Sequence, residues 1–148
     1  MATIKSHTDL PQSQKLSEIL PSESADMEYL VVKENSLLIG NVPFLKDESE
    51  VKDSAYSHTY DRIACWSLSA LLNLLPNEII TNNRFECHYQ IQIRKYDGSS
   101  NTTLYQIAYG NDRGSSGSWH DMINSGEKES LIDCCFQIII RLKEINLL

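Results

Sequence analysis

Over residues 84–94 polar and apolar residues alternate without a break, reading Arg-Phe-Glu-Cys-His-Tyr-Gln-Ile-Gln-Ile-Arg. Successive side chains of a strand point to opposite faces. Phe85, Cys87, Tyr89, Ile91 and Ile93 therefore share one face, and Glu86, His88, Gln90, Gln92 and Arg94 share the other. One buried face and one wet face describe an antiparallel strand, which sets the class of fold. The strand runs on to Tyr96, and Asp97-Gly98-Ser99-Ser100-Asn101 has turn chemistry. Residues 102–109 form its hairpin partner, with Tyr105, Ile107 and Tyr109 facing one way. A hairpin is also expected upstream, from residues 28–32 and 37–40 joined by the turn residues 33–36.

Three helical patterns surround these strands. Residues 12–20 predict a short helix closed by Pro21, with Pro11 as a stop before it. Residues 65–76 predict a helix capped by Ser67, with Leu68, Leu71, Leu72 and Leu75 as its buried stripe. Residues 130–145 predict the strongest helix, with Ile132, Cys135, Ile138, Ile139, Leu142 and Ile145 turned inward. Residues 46–57 and 110–118 read as loops. The expected fold is α+β: an antiparallel sheet of two hairpins, about four strands, packed against a short central helix and a C-terminal helix. Residues 1–11 are expected to be a flexible N-terminus and residues 12–148 a single domain.

A chain of 148 residues buries roughly two thirds of its unfolded surface, so it needs no metal or disulfide to hold it together. The formal net charge of −7 disfavours non-specific binding to nucleic acid or to an anionic membrane. The 13 Lys and Arg residues never form a run. Cys134 and Cys135 are adjacent within a helical pattern, and Cys87 lies on the apolar face of the strand. These three and Cys65 are expected to be reduced, buried thiols. Residues 1–11 lack the apolar core of a signal peptide, and no run approaches transmembrane length. The expected compartment is the cytoplasm, or the virion if the gene is viral, with no membrane partner.

No reactive constellation stands out. A metal site needs three or four close ligands. Cys65, Cys87, His88, His120 and His58 show no paired spacing, and Cys87 and His88, as strand neighbours, face opposite ways. A nucleophile needs a base beside it, and Cys87 with His120 or His58 is available only by arithmetic. His120-Asp121 reads as polar loop sequence. The Gly- and Ser-rich residues 110–118 lack the Gly-Lys-Ser/Thr ending of a P-loop. No catalytic, cofactor-binding or metal-binding residue is assigned, and no cofactor is expected. What remains is a candidate interaction surface: His88, Gln90, Gln92 and Arg94 on the wet face, with Tyr105, Tyr109 and Trp119 as aromatic anchors. Single-stranded nucleic acid could use such a face if Arg84, Arg94, Lys95 and Arg113 gathered on it. The acidic balance makes nucleic acid the less favoured partner.

Three stretches stand in order along the chain. The first is Lys15-Leu16-Ser17-Glu18-Ile19-Leu20-Pro21 with Glu23-Ser24-Ala25-Asp26-Met27. The second is Cys65-Trp66-Ser67-Leu68-Ser69-Ala70-Leu71-Leu72-Asn73-Leu74-Leu75-Pro76. The third opens with Ile132-Asp133-Cys134-Cys135 and ends with Leu142-Lys143-Glu144-Ile145-Asn146-Leu147-Leu148. Together they resemble a family of small uncharacterised proteins of gut Bacteroidales bacteria and their phages and mobile elements. The resemblance implies a source and a size class, and no activity. The expected function is that of a non-enzymatic accessory protein acting through a protein partner or self-association. The alternatives are a small hydrolase or transferase using His120, His58 and a Cys or carboxylate, and a single-stranded nucleic-acid binder.

Overall fold

The computed structural model describes residues 4–39, 42–46, 60–112 and 117–148. The fold is α+β, and every strand pair among the described residues is antiparallel. The strands form two sheets of three and four strands. The chain divides into two compact units, Ser6–Ala70 and Leu71–Leu148, with Met1–Lys5 belonging to the second.

In the first unit, helix α1 (Leu10–Ser17) starts from an Asp9 cap. The Asp9 carboxylate accepts from the Gln12 N–H at 2.9 Å, and the Gln12 side chain accepts from the Asp9 N–H at 3.2 Å. Each partner satisfies a donor that the helix leaves open. Pro11 does not stop this helix but lies in its first turn, where a backbone N–H is not needed. After a 3₁₀ turn (Ser22–Ser24), strand β1 (Met27–Val32) is the middle of three, between β2 (Phe44–Leu45) and β3 (Tyr60–Cys65). The expected return at residues 37–40 shrinks to one bridge, Val31 to Leu38, with Gly40 outside the described residues. β3 has no counterpart in the sequence reading, because Asp61 and Arg62 break its apolar pattern. Arg62 is accommodated by reaching Glu28 on β1 at 3.0 Å, a carboxylate only 6% exposed.

A buried polar cluster ties the entry of α1 to this sheet. Thr8 is fully buried. Its hydroxyl meets Ser13 Oγ at 2.7 Å and accepts from the Trp66 N–H at 3.1 Å, and its carbonyl accepts from the Tyr29 hydroxyl at 2.8 Å. The Asp26 carboxylate accepts from the Ser67 N–H at 2.9 Å and from its hydroxyl at 2.5 Å, while the Trp66 indole donates to Ser24 Oγ at 3.0 Å. Ser67 Oγ in turn accepts from the Ala70 N–H at 3.2 Å, so it caps α2 (Leu68–Leu74) as expected. That helix carries the chain into the second unit.

The second unit is a four-stranded meander: β4 (Glu78–Asn82), β5 (Glu86–Asp97), β6 (Thr103–Asp112) and β7 (Trp119–Asn124) lie in chain order. Helix α3 (Leu131–Glu144) packs against β6 and β7 and buries Ile132, Cys134, Cys135, Ile138, Ile139 and Leu142. Ile79, Tyr89, Ile107, Ala108 and Tyr109 complete the buried apolar set of these strands. Twelve residues of strand reach about 40 Å, whereas fourteen of helix reach about 21 Å. The helix therefore cannot cover the whole of β5. Phe85 and Ile93, expected on the buried face, are 82% and 51% exposed. Ile145, expected in the helix stripe, follows the last turn as its cap and is largely exposed.

Candidate functional site

The wet face of the second sheet is organised around one guanidinium. All three nitrogens of Arg94 are occupied. Nε and Nη2 donate to Gln92 Oε1 at 3.1 and 3.0 Å, Nη1 donates to Gln106 Oε1 at 3.0 Å, and Nη1 and Nη2 grip the Asp121 carboxylate at 3.0 and 2.7 Å. Such a fork is the strongest geometry an arginine offers a carboxylate. The Tyr96 hydroxyl joins through Gln106 Oε1 at 2.8 Å, and the Trp119 indole donates to Asp121 Oδ1 at 2.8 Å. The Arg94 guanidinium holds the Asp121 carboxyl below the ordinary carboxylate range.

A bulge makes this possible. Ala108 pairs with Asn124 and Tyr109 with Ile123, but Gly110 pairs with Asp121, so Met122 is an extra residue on β7. A bulge switches the faces of the residues beyond it. Without it, Asp121 would point to the side of Tyr109 rather than the side of Arg94. Trp119 follows the same switch and rests over Gly110. A Cβ there would lie 2.3 Å from the His120 carbonyl oxygen and 2.6 Å from the indole nitrogen. Glycine is required by close approach, not by its backbone angles.

Nearer β4, the His88 ring lies between two carboxylates, with Nδ1 2.9 Å from Glu78 and Nε2 2.6 Å from Glu86. The Glu86 contact first, then Glu78, raises the imidazole above its ordinary value.

The structure divides the candidate interaction surface. His88, Gln90, Gln92 and Arg94 share the wet face, and the bulge brings Trp119 to it. Tyr105 and Tyr109 face the opposite way, toward the side packed by α3. Tyr109 is fully buried, with its hydroxyl donating to the Pro76 carbonyl at 2.6 Å. The cations of the nucleic-acid reading also scatter. Arg94 is engaged with Asp121, Lys95 points to the other face, Arg84 sits in the exposed bend before β5, and Arg113 is outside the described residues.

The thiols offer little nucleophilic character. Burial pushes Cys65 and Cys134 upward and Cys135 up to about 12, and all three are fully buried. Cys87 is half-buried. An open cleft of about 470 Å³ is lined by Tyr89, His120, Asp121 and Met122, but its carboxylate is the one committed to Arg94. His58 lies outside the described residues. Among the described residues no group of three His, Cys, Asp or Glu side chains could hold a metal, and no helix is long and apolar enough to cross a membrane.

The first unit presents a different surface. Beside β1, residues 37–39 and then β2 bring out Leu37, Leu38, Val42, Phe44 and Leu45, which are 36–61% exposed. β2 is only two residues long and pairs with Met27 and Glu28. Sequence reasoning missed these side chains because it assigned residues 37–40 to a hairpin and residues 42–45 to no element. It missed Asp121 because no sequence pattern marks a bulge. Gly110, read as the start of a loop, lies within β6, and a glycine inside a strand is a signal of a bulge or a close approach. Comparison of the chain with protein-family models, with curated proteins and with solved structures finds no match.

Proposed function

We propose that this chain is a non-enzymatic accessory protein, encoded by a Bacteroidales phage or mobile element, that acts in the cytoplasm by binding another protein. The observation that carries the reading is the exposed apolar edge beside β1, where Leu38 and Leu45 lie on one face of the sheet and Phe44 on the other, with Leu37 and Val42 exposed between and beside them. Exposed apolar side chains grouped along one edge mark interaction surfaces. Burying one such side chain contributes about 1–2 kcal/mol, set against the translational and side-chain entropy lost on association. In support, the groups suited to chemistry are committed elsewhere: Arg94 to Asp121, His88 to two glutamates, and three thiols to the core.

The test is affinity capture from Bacteroidales extract with the wild-type chain and with Leu45→Glu, whose unchanged circular dichroism spectrum would show that it folds. The expected result is a discrete protein retained by the wild type and lost with the variant. A wild-type chain that retains nothing, or that retains the same proteins as the variant, overturns the reading.

A further inference from the structure

We propose that β4 is a self-complementary edge at which two copies of the chain pair antiparallel about Ile80. An edge strand offers unpaired backbone groups to any strand that can approach, and proteins usually blunt such edges with charges, prolines, bulges or shortness. Three of the four edges among the described strands are blunted in this way. β2 has two residues, β3 carries Asp61 and Arg62, and β7 carries the bulge with His120 and Asp121. β4 reads Glu-Ile-Ile-Thr-Asn, with neither proline nor bulge; its one charge, Glu78, stands at the first residue and is held by His88 at 2.9 Å.

The hydrogen-bond phase of β4 fixes which groups face outward. The Ile91 N–H donates to the Asn77 carbonyl at 3.2 Å, so Asn77, Ile79 and Thr81 are the residues whose backbone groups point to β5. Those of Glu78, Ile80 and Asn82 point to the open side, and all three residues are exposed. A two-fold axis at Ile80 places Ile80 opposite its copy, Glu78 opposite Asn82 of the second copy, and Ile79 opposite Thr81. In this register the outward residues form hydrogen-bonded pairs, giving about six new backbone bonds. Like charges do not meet. Ile80, 51% exposed, covers its counterpart. Five residues a side make a small contact, so the dimer forms at high chain concentration and dissociates on dilution.

This inference does not use the apolar edge beside β1, and its test keeps the two apart. Sedimentation velocity over a concentration series should show the wild type rising from the 16.8 kDa chain mass toward twice that value. Leu45→Glu should follow the same curve, and Ile80→Lys should stay at the chain mass throughout. In a Cys87→Ser background, Ile80→Cys should oxidise to a disulfide dimer, since directly opposed Cα atoms stand about 5.5 Å apart. Glu78→Cys should not, since its two copies are about 14 Å apart in this register. A wild type that remains at the chain mass at every concentration, a dimer lost in Leu45→Glu, or cross-linking at position 78 as efficient as at position 80 overturns the proposal.

Discussion

Replacing Gly110 by alanine is the sharpest probe of the wet face. The added Cβ would stand 2.3 Å from the His120 carbonyl oxygen, 2.6 Å from the Trp119 indole nitrogen and 2.8 Å from its Cε2. An ordinary contact needs about 3.5 Å, so β7 must retreat by about 1 Å. The nearest atom is backbone, which cannot swing aside as a long side chain could. Overpacking of this kind costs about 1–3 kcal/mol. The retreat also pulls the indole from Asp121, for about 1 kcal/mol more. The expected loss is about 2–4 kcal/mol, which moves a urea midpoint down by about 1–2 M at an m-value near 2 kcal/mol/M. Urea titration followed by tryptophan emission measures it directly. Trp119→Ala provides the control. It removes the ring contact but leaves the carbonyl, so Gly110→Ala in that background should still cost about 1–2 kcal/mol. A Gly110→Ala chain within about 0.5 kcal/mol of the wild type would refute the close approach of β7 and the bulge that produces it.

Other consequences follow from the same structure. Thr8→Val leaves the Ser13 hydroxyl and the Trp66 N–H without their partner in a fully buried site, and should cost about 2–3 kcal/mol in the same titration. Asp121→Asn weakens the hold on Arg94; with both side chains about a quarter exposed, a loss of roughly 1 kcal/mol is expected at neutral pH. Because Arg94 lowers the folded pKa of Asp121, this stabilisation is complete above the ordinary value of 3.8 and is lost as pH falls through the folded value. The gap in urea midpoint between wild type and Asp121→Asn should therefore be full at pH 7 and narrow below about pH 4. An aromatic disulfide reagent applied to the native chain should label Cys87 alone, Cys87→Ser should abolish the labelling, and urea should release the three buried thiols.

Much of the second sheet was legible because its signal is local. The alternation over residues 84–94 reports which side chains face water, and the β5–β6 hairpin follows from its turn residues. Ser67 announced its helix by the chemistry of capping alone. What the chain does not print is relational. β3 is a strand because Glu28 receives Arg62 and because β1 offers a free edge, neither of which shows within residues 60–65. The parity of Trp119, Asp121 and Ile123 reads as one shared face, yet Met122 shifts the first two to the other. That single residue decides whether Arg94 is a free cation or a saturated one. α3 packs against β6 and β7, and Ile93 on β5 stays half exposed although its neighbours in sequence suggest that it is buried. The stretches around Asp26 and Ser67 lie about forty residues apart, and only the pairing of Met27 with Cys65 brings them together.

The measurement closest to the central claim is site-specific photo-cross-linking in cells of the proposed Bacteroidales source, with a benzophenone side chain at position 44 and, separately, at position 90. Phe44 lies in the apolar edge beside β1, and Gln90 is exposed on the wet sheet face. The expected result is a discrete heavier adduct containing a second protein from position 44 and none from position 90. Adducts of equal yield from both positions, or an adduct from position 90 alone, would contradict binding through the apolar edge.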